Sequence, residues 1–420
     1  MKKFSILVSM VVLVVESLFA QCPDYLSITT QQQVDEFPIN YPNCNEINDY
    51  VVINGEDITN LHGLNSILSI NGSVVIQNTS LIDLSGLDNL TLIGGYLVIQ
   101  DNNQLYNLTG LGKLTTISDY LYIGSNASLN NLSGLENLSS VEGRQFGIAS
   151  NESLVALTSF KNLKSIPGIL FIDDNRSLTT MQGLDSLLTV SGSVYVNNCG
   201  SLTDLNGFGN LNTIGENLMF SGLYSAENIN GLHSLIQIGG DLSLNKCNSL
   251  VNLSGLNNLT QIGGSLNIIE NNKLKSLSGL NNIKTESIEH LIITFNPFLA
   301  TCHVESICNY LADPKGDLTI HSNSAGCNNY VEVETSCSLN IDEIALSESI
   351  TIYPNPAKNK FYIMSEHKLL TVKIFNQLGQ VIISETGKIS VVDISSLTSG
   401  LYYVHLTSDK SNYNTILVVD

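Results

Sequence analysis

The feature that most constrains this chain is a glycine followed by leucine, once by phenylalanine, that recurs about every 24 residues. These glycines are Gly63, Gly86, Gly110, Gly134, Gly183, Gly207, Gly231, Gly255 and Gly279, and Ser159 fills the single gap in the series. A regular period of this length is typical of proteins whose units stack on their neighbours, because one unit alone cannot bury its apolar side chains. The period predicts a solenoid and favours binding over catalysis.

The unit from Gly255 to Ser278 shows how one repeat is built. Leu266 and Ile268 alternate with polar or variable neighbours, which is the pattern of a β-strand with one buried face. An equivalent apolar pair recurs from Val51 to Ile293, so we expect about eleven strands, one per 24-residue rung. The sequence therefore predicts an all-β fold with a parallel β-solenoid.

Two further positions of the repeat are expected to shape its turns. A glycine two residues before the buried strand pair, such as Gly168, predicts a tight bend with positive φ. A set of asparagines after the strands predicts a ladder of side-chain amides that bond the backbone: Asn78, Asn102, Asn126, Asn151, Asn175, Asn271 and Asn296. Cys199 and Cys247 replace asparagine in this ladder. They lie two rungs apart, roughly 10 Å, which is too far for a disulfide, so we predict two buried free thiols.

The first twenty residues have the features of a secretory signal peptide. Lys2 and Lys3 precede an apolar run that begins at Phe4 and closes at Ala20. The run is too short to span a membrane, which takes about 20 apolar residues. A lipid anchor on Cys22 is the alternative interpretation. Residues 1–20 are therefore predicted to be removed during export, and no transmembrane segment is expected.

Charge and motif content restrict the function. The chain has 18 Lys and Arg against 38 Asp and Glu, a net charge of −20, and such a field repels nucleic acid. The sequence has no phosphate-binding loop and no hydrolase or zinc-protease motif, so we predict no catalytic residues, no cofactor and no metal. Because parallel β-helix folds also host polysaccharide lyases and hydrolases, an enzyme remains the alternative.

The residues of the repeat resemble two known families. The stretch Leu266–Asn271 supplies the LxLxxN core of a leucine-rich repeat, but the next leucine, Leu274, follows the asparagine by three residues instead of two. The glycine-leucine turn, the irregular spacing and the Cys22 and Cys44 opening are more similar to receptor L domains. This resemblance implies a right-handed parallel β-solenoid, with an N-terminal cap at 21–49, rungs over 50–296 and a C-terminal cap at 297–340.

The cysteines at the two ends of the array imply stabilised caps. Asn296-Pro297-Phe298 and the cysteines that follow are similar to the C-terminal caps of extracellular leucine-rich repeats. Of three possible pairings, that similarity implies Cys302–Cys327 and Cys308–Cys337, with Cys22–Cys44 at the other end. A metal site with His303 and His321 is the competing interpretation, although the cysteine spacing is not typical of zinc.

Residues 341–420 follow a different pattern. The run that contains Tyr353-Pro354-Asn355-Pro356, Val372-Lys373-Ile374-Phe375-Asn376 and Ser399-Gly400-Leu401-Tyr402 resembles the type A C-terminal sorting domain of the type IX secretion system of the Bacteroidota. The alternating apolar residues predict a small antiparallel β-sandwich. The resemblance implies that the type IX machinery is a partner and that the protein crosses the periplasm to be secreted or held at the outer cell surface.

The outward strand positions contain the candidate ligand-binding residues. Aromatic and apolar side chains occupy them in the earlier rungs, and we single out Tyr96, Tyr120, Tyr122, Phe171, Tyr195 and Met219. An exposed face of this composition marks an interaction site for a protein or glycan. The alternative is side-chain stacking along the sheet without any partner, as in a structural or adhesive surface component.

Overall fold

The computed structural model describes residues 22–339, 351–364, 369–376, 380–387, 389–408 and 412–420. The chain divides into two compact units, Met1–Ser338 and Leu339–Asp420. The predicted signal peptide lies outside the described residues. The finer boundaries proposed from the sequence for the caps and the rungs stay predictions.

The main sheet of the first unit contains, within the described residues, thirteen parallel strands in chain order, which we number rungs 1 to 13. They are Leu26–Ile28, Val51–Asn54, Val74–Gln77, Leu97–Gln100, Leu121–Gly124, Gln145–Ala149, Ile169–Asp173, Val194–Asn197, Leu218–Ser221, Leu242–Asn245, Leu266–Ile269, Leu291–Thr294 and Leu318–His321. Rungs 2 to 12 are the eleven strands predicted from the sequence, and one further strand from each cap extends the sheet. The predicted parallel β-solenoid is confirmed.

Shorter elements complete each turn of the solenoid. Two-residue strands form two more parallel ladders: Glu46–Ile47, Ser69–Ile70, Leu92–Ile93, Thr116–Ile117 and Ser140–Val141 in one, and Ser165–Ile166, Thr189–Val190, Thr213–Ile214 and Gln237–Ile238 in the other. Single 3-10 turns lie at His62–Leu64, Asn206–Phe208, Asn230–Leu232, Ser254–Leu256 and Thr285–Ser287. Rungs 2 to 12 each bury two inward apolar residues, such as Leu121 and Ile123, in one continuous apolar core.

The recurring glycine is required by the close approach of successive rungs. A Cβ atom at Gly231 would collide with the carbonyl oxygen of Leu205 on the preceding rung. At Gly183 the backbone is also left-handed, with a φ of 117°, which favours glycine. The positive φ expected before the strand, at positions such as Gly168, is wrong: a Cβ there would instead collide with the backbone of Arg144. Both glycine positions therefore exist mainly because adjacent rungs touch through their backbones.

A ladder of buried asparagine amides follows the strands. Asn126 is fully buried, and its Nδ2 donates to the carbonyl oxygens of Ile99 and Gly124, each at 3.0 Å. Its Oδ1 accepts from the backbone N–H of Asn102 at 3.1 Å, while its own N–H donates to Oδ1 of Asn151 at 3.2 Å. Each amide thus links three rungs. The other buried members are Asn102, Asn151, Asn175, Asn271 and Asn296.

The prediction for Asn78 is wrong by one residue. Asn78 is exposed and has a φ of 51°, and Thr79 occupies the ladder position instead. The N–H and Oγ1 of Thr79 donate to Oδ1 of Asn102, at 3.2 and 2.7 Å. The reason is that this rung is one residue short between Thr79 and the buried Leu81, so counting back from the leucine misplaces the ladder. At the other end Asn323 joins it, since its Oδ1 accepts from the N–H of Asn296 at 3.0 Å.

The caps contain the helices of the first unit. Helix α1 is Gln31–Asn40, α2 is Glu305–Ala312 and α3 is Tyr330–Leu339. Thr30 and Gln33 form a capping box at the start of α1, which satisfies backbone N–H groups that a helix start leaves free. Val34 and Phe37 of α1 are buried in the same core as the rungs. The helix therefore closes the apolar end of the solenoid.

The cysteine predictions are confirmed within the described residues. Disulfides join Cys22 to Cys44, Cys302 to Cys327 and Cys308 to Cys337. Because its sulfur is bonded to Cys44, Cys22 is not available for a lipid anchor. The four cap cysteines are likewise not available as zinc ligands. Cys199 and Cys247 are buried free thiols, as expected.

The second unit is an antiparallel β-sandwich. One sheet comprises Thr351–Tyr353, Lys360–Met364 and Val391–Asp393, and the other comprises Leu369–Phe375, Val381–Thr386, Gly400–Ser408 and Asn412–Val419. Both sheets contribute to one core, with Phe361 and Val392 from the first and Val372, Val404 and Leu417 from the second. Alternation along each strand therefore produces the predicted fold.

Candidate functional site

Four of the six predicted binding residues lie in one row on the outward face of the main sheet. Tyr122 on rung 5, Phe171 on rung 7, Tyr195 on rung 8 and Met219 on rung 9 occupy the same position of successive strands, with Gly147 between the first two. Neighbouring strands are about 4.8 Å apart. All four side chains are partly exposed. We call this set, from Tyr122 to Met219, the aromatic row.

The other two predicted residues, Tyr96 and Tyr120, belong to a tyrosine stack just before the strands. Their rings are parallel at 4.5 Å, and the hydroxyl of Tyr50 donates to that of Tyr96 at 2.8 Å. Ser73 on the intervening rung leaves room for this contact, and its Oγ accepts from the N–H of Tyr96 at 3.1 Å. The hydrogen bond with Tyr50, followed by burial, raises the pKa of Tyr96, and burial and Asp119 raise that of Tyr120. The rings and the Tyr96 hydroxyl of this stack therefore find their contacts mainly within the stack.

Rung 6 interrupts the aromatic row with a floor of small residues. Its outward positions are Gln145, Gly147 and Ala149, and Gly124 is the register partner of Ala149 on rung 5. The ring of Tyr122 lies across this floor: Cβ atoms added to Gly124 and Gly147 would lie 2.5 and 2.9 Å from its atoms. Phe171, in register with Gly147, forms the opposite side. Gly124, Gly147 and Ala149 are buried, and the side-chain amide of Gln145 also covers Gly147. We call the surface over these three residues, between Tyr122 and Phe171, the notch.

Carboxylates flank the notch on two sides. Asp173 is the register partner of Ala149, and Asp101 begins the turn beside Gly124, whose carbonyl accepts from the N–H of Asp101 at 3.2 Å. Burial, followed by the charges of Asp101 and Asp173, raises the pKa of Tyr122. Burial and the charge of Asp174 also raise the pKa of Asp173, against a weak hydrogen bond from Asn198. The notch is therefore lined by an aromatic ring and flanked by negative charge.

Sequence reasoning missed the residues that shape the notch. Gly124, Gly147 and Ala149 have no functional side-chain chemistry, and Asp173 has no second carboxylate at a catalytic spacing. The sequence feature that marks them is a pair of small residues, Gly124 and Ala149, at the same position of two adjacent strands. It becomes visible only when the register of the strands is known.

Metal binding finds no support in the described parts of the chain, where no group of three His, Cys, Asp or Glu could hold an ion. The two histidines near the cap cysteines have other environments. The Nδ1 of His303 is buried without a hydrogen-bond partner. The ring of His321 packs edge-on against Phe295, and its Nδ1 lies 3.1 Å from Oγ of Ser322.

Comparisons with known families give a match within each unit. Residues 43–106 and 91–183 match the receptor L domain, a stretch that reaches from rung 2 to rung 7. Residues 351–420 match the secretion system C-terminal sorting domain. Among curated proteins, none matches this sequence. The sorting domain marks the protein for export through the type IX system, to secretion or attachment at the cell surface. No helix in the described residues is long and apolar enough to cross a membrane.

Proposed function

We propose that this exported protein binds a macromolecular ligand outside the cell through the aromatic row and the notch. The observation that carries the proposal is the row itself. Tyr122, Phe171, Tyr195 and Met219 stand in register on an outward face, whereas rungs 10 and 11 have Ser243 and Asn267 at this position. Aromatic residues grouped on a soluble surface mark interaction sites, since they bury a large apolar area and lose little side-chain entropy.

Arrays of glycans and of extracellular proteins, probed with the labelled full exported chain, test this proposal. The double substitution Tyr122→Ser and Tyr195→Ser is expected to abolish the signals that the unchanged protein gives. The matched control is Tyr106→Ser with Tyr224→Ser, because these two rings are each 50% exposed and lie outside the main sheet. Signals that survive in the first variant, with an unchanged circular dichroism spectrum, would show that the row is not the site.

A structural surface component without a discrete ligand is the second candidate. The stack of Tyr50, Tyr96 and Tyr120 favours it, because these residues satisfy one another and strengthen the sheet. A folded protein that binds nothing on either array would support this role. Turnover on a panel of polysaccharides would instead support an enzyme.

Dependence of export on the C-terminal unit has its own test. Deleting residues 341–420 is expected to leave the protein in the periplasm, because the type IX machinery then has no sorting domain to engage. Cell fractionation and immunoblotting measure the outcome. Unchanged amounts of the truncated protein outside the cell would refute this dependence.

A further inference from the structure

The notch has one aromatic wall that is already positioned for a ligand. The ring of Tyr122 rests across the glycine floor of rungs 5 and 6, so one of its faces is turned to the backbone. Its other face is therefore turned away from the sheet. The edge of the ring and the side-chain amide of Gln145 cover Gly147, so the notch is a surface and not a cavity. Phe171 bounds this surface from rung 7, about two strand spacings from Tyr122.

Carboxylates flank the notch, and the outward positions of the described strands around it have no cationic side chain. Asp173 and Asp101 flank it, and no lysine or arginine occupies an outward strand position in the described rungs 4 to 9. Arg176 forms a salt bridge with Asp174, with 2.9 Å between Nε and Oδ1. The whole chain has a net charge of −20. An arriving cation would thus be attracted over a long range. It would meet no cationic side chain at the outward strand positions of these described rungs, although the exposed Arg144 directly precedes rung 6.

We propose that the notch receives a cationic side chain, arginine or lysine, of a partner protein. Its aliphatic stem packs between Tyr122 and Phe171, and its charged group lies over the Tyr122 ring beside Asp173. This inference rests on the proposed binding function and specifies the chemistry of its ligand. Aromatic faces attract guanidinium and ammonium groups, and a carboxylate adds a charge-assisted hydrogen bond.

Two other ligand classes fit the notch less well. A bare metal ion needs several oxygen ligands at once, whereas the described residues offer no cluster of three. A neutral sugar could stack on Tyr122 but would bring no counter-charge to Asp173, since Arg176 pairs with Asp174. Burial, followed by the charge of Asp174, raises the pKa of Asp173. An arginine or lysine supplies the opposite charge at this point.

Arrayed random-sequence peptides, probed with the labelled full exported chain near physiological salt, test the ligand class. Bound peptides are expected to contain arginine or lysine. Replacing that arginine by citrulline, which is neutral and of similar shape, should weaken binding about tenfold in fluorescence polarisation. Bound peptides without a basic residue, or the absence of any bound peptide, would overturn the proposal.

Charge-matched variants separate the notch from general attraction to an acidic protein. Asp173→Asn should weaken the selected peptides about tenfold, whereas Glu227→Gln, an exposed residue outside the main sheet, should change binding less than about twofold. Tyr122→Leu should weaken binding about fivefold, and the control Tyr106→Leu should not. Equal losses with Asp173→Asn and Glu227→Gln would refute a specific contact.

Failure of this inference can be told apart from failure of the binding function. A neutral glycan whose retention falls with Tyr122→Leu but not with Asp173→Asn would leave the binding function in place and overturn the cationic ligand. Ligands indifferent to both substitutions would overturn both proposals.

Discussion

Replacing one amide of the asparagine ladder tests what holds the rungs together. We choose Asn126→Leu, because Leu223 occupies the same position of a later rung and is buried there, so leucine fits the site. The substitution removes the donor to the carbonyl oxygens of Ile99 and Gly124 and the acceptor for the N–H of Asn102. The substitution therefore removes these hydrogen bonds without leaving a cavity.

The expected loss follows from the groups that become unpaired. A buried backbone group left without a partner costs about 1–3 kcal/mol. The carbonyl of Gly124 keeps the N–H of Asp101 as a donor, and the register of rungs 4 and 5 places the N–H of Gly124 against the carbonyl of Ile99. The N–H of Asn102 therefore carries the largest single cost, and the two lost bonds to these carbonyl oxygens add about 0.5–1.5 kcal/mol each. Burying the leucine side chain offsets part of it, by about 1.5–3 kcal/mol. We expect a net loss of roughly 2 kcal/mol in the free energy of unfolding.

Urea unfolding followed by circular dichroism measures this loss on the full exported chain. Since repeat proteins can unfold in segments, amide hydrogen exchange in rungs 4 to 6 provides a local readout. Asn130→Leu is the control, a partly buried asparagine outside the ladder, with an expected change within about 0.5 kcal/mol. Equal stability of the two variants would refute the view that the ladder amides stabilise the solenoid.

Three further predictions concern single residues. Cys247→Asn should raise the urea midpoint, because an amide can donate to the carbonyls of Phe220 and Asn245, which the thiol now contacts at 3.8 and 3.6 Å. Burial raises the pKa of Cys199 and Cys247 to about 12. Neither thiol should therefore react with iodoacetamide at pH 8 until the protein, with its disulfides intact, is unfolded. Mass spectrometry measures the number of alkylated cysteines. Burial raises the folded-state pKa of Asp173 above its unfolded value, so its ionised form destabilises the fold at neutral pH. Asp173→Asn should therefore raise the melting temperature at pH 7, and this difference should vanish below about pH 4; equal melting temperatures at pH 7 would contradict the reasoning.

The solenoid was predictable because one repeated pattern determines both the strand and its buried face. Positions such as Leu121 and Ile123 alternate in every rung, and no other arrangement buries all of them together. The strands Leu26–Ile28 and Leu318–His321 were missed because the caps lack the glycine-leucine turn that sets the count. The shift from Asn78 to Thr79 has a similar cause. This rung is one residue shorter between the ladder position and Leu81, and the apolar pattern of the strand does not reveal that difference.

The binding face was predictable in its composition but not in its contacts. From the sequence, Tyr96 and Tyr122 are equally good candidates for ligand binding, because both are tyrosines in or next to a strand. Which one stays available depends on the neighbours across the rungs: Tyr96 is held by Tyr50 and Tyr120, whereas Tyr122 rests on glycine. Such contacts depend on register and on side-chain rotamers, which no single rung specifies.

The notch lies at a rung whose repeat departs from the 24-residue period. Between Gly134 and Ser159 the repeat is one residue longer than usual, and Ser159 replaces the glycine that begins the next repeat. The additional residue lies between Val141 and Phe146, and two of the three outward positions of the strand Gln145–Ala149 are the small residues Gly147 and Ala149. Regular positions cannot vary freely, because they pack against both neighbouring rungs. A site on such a solenoid is therefore expected where the period is broken, and rung 6 combines a break in length, small outward residues and flanking carboxylates.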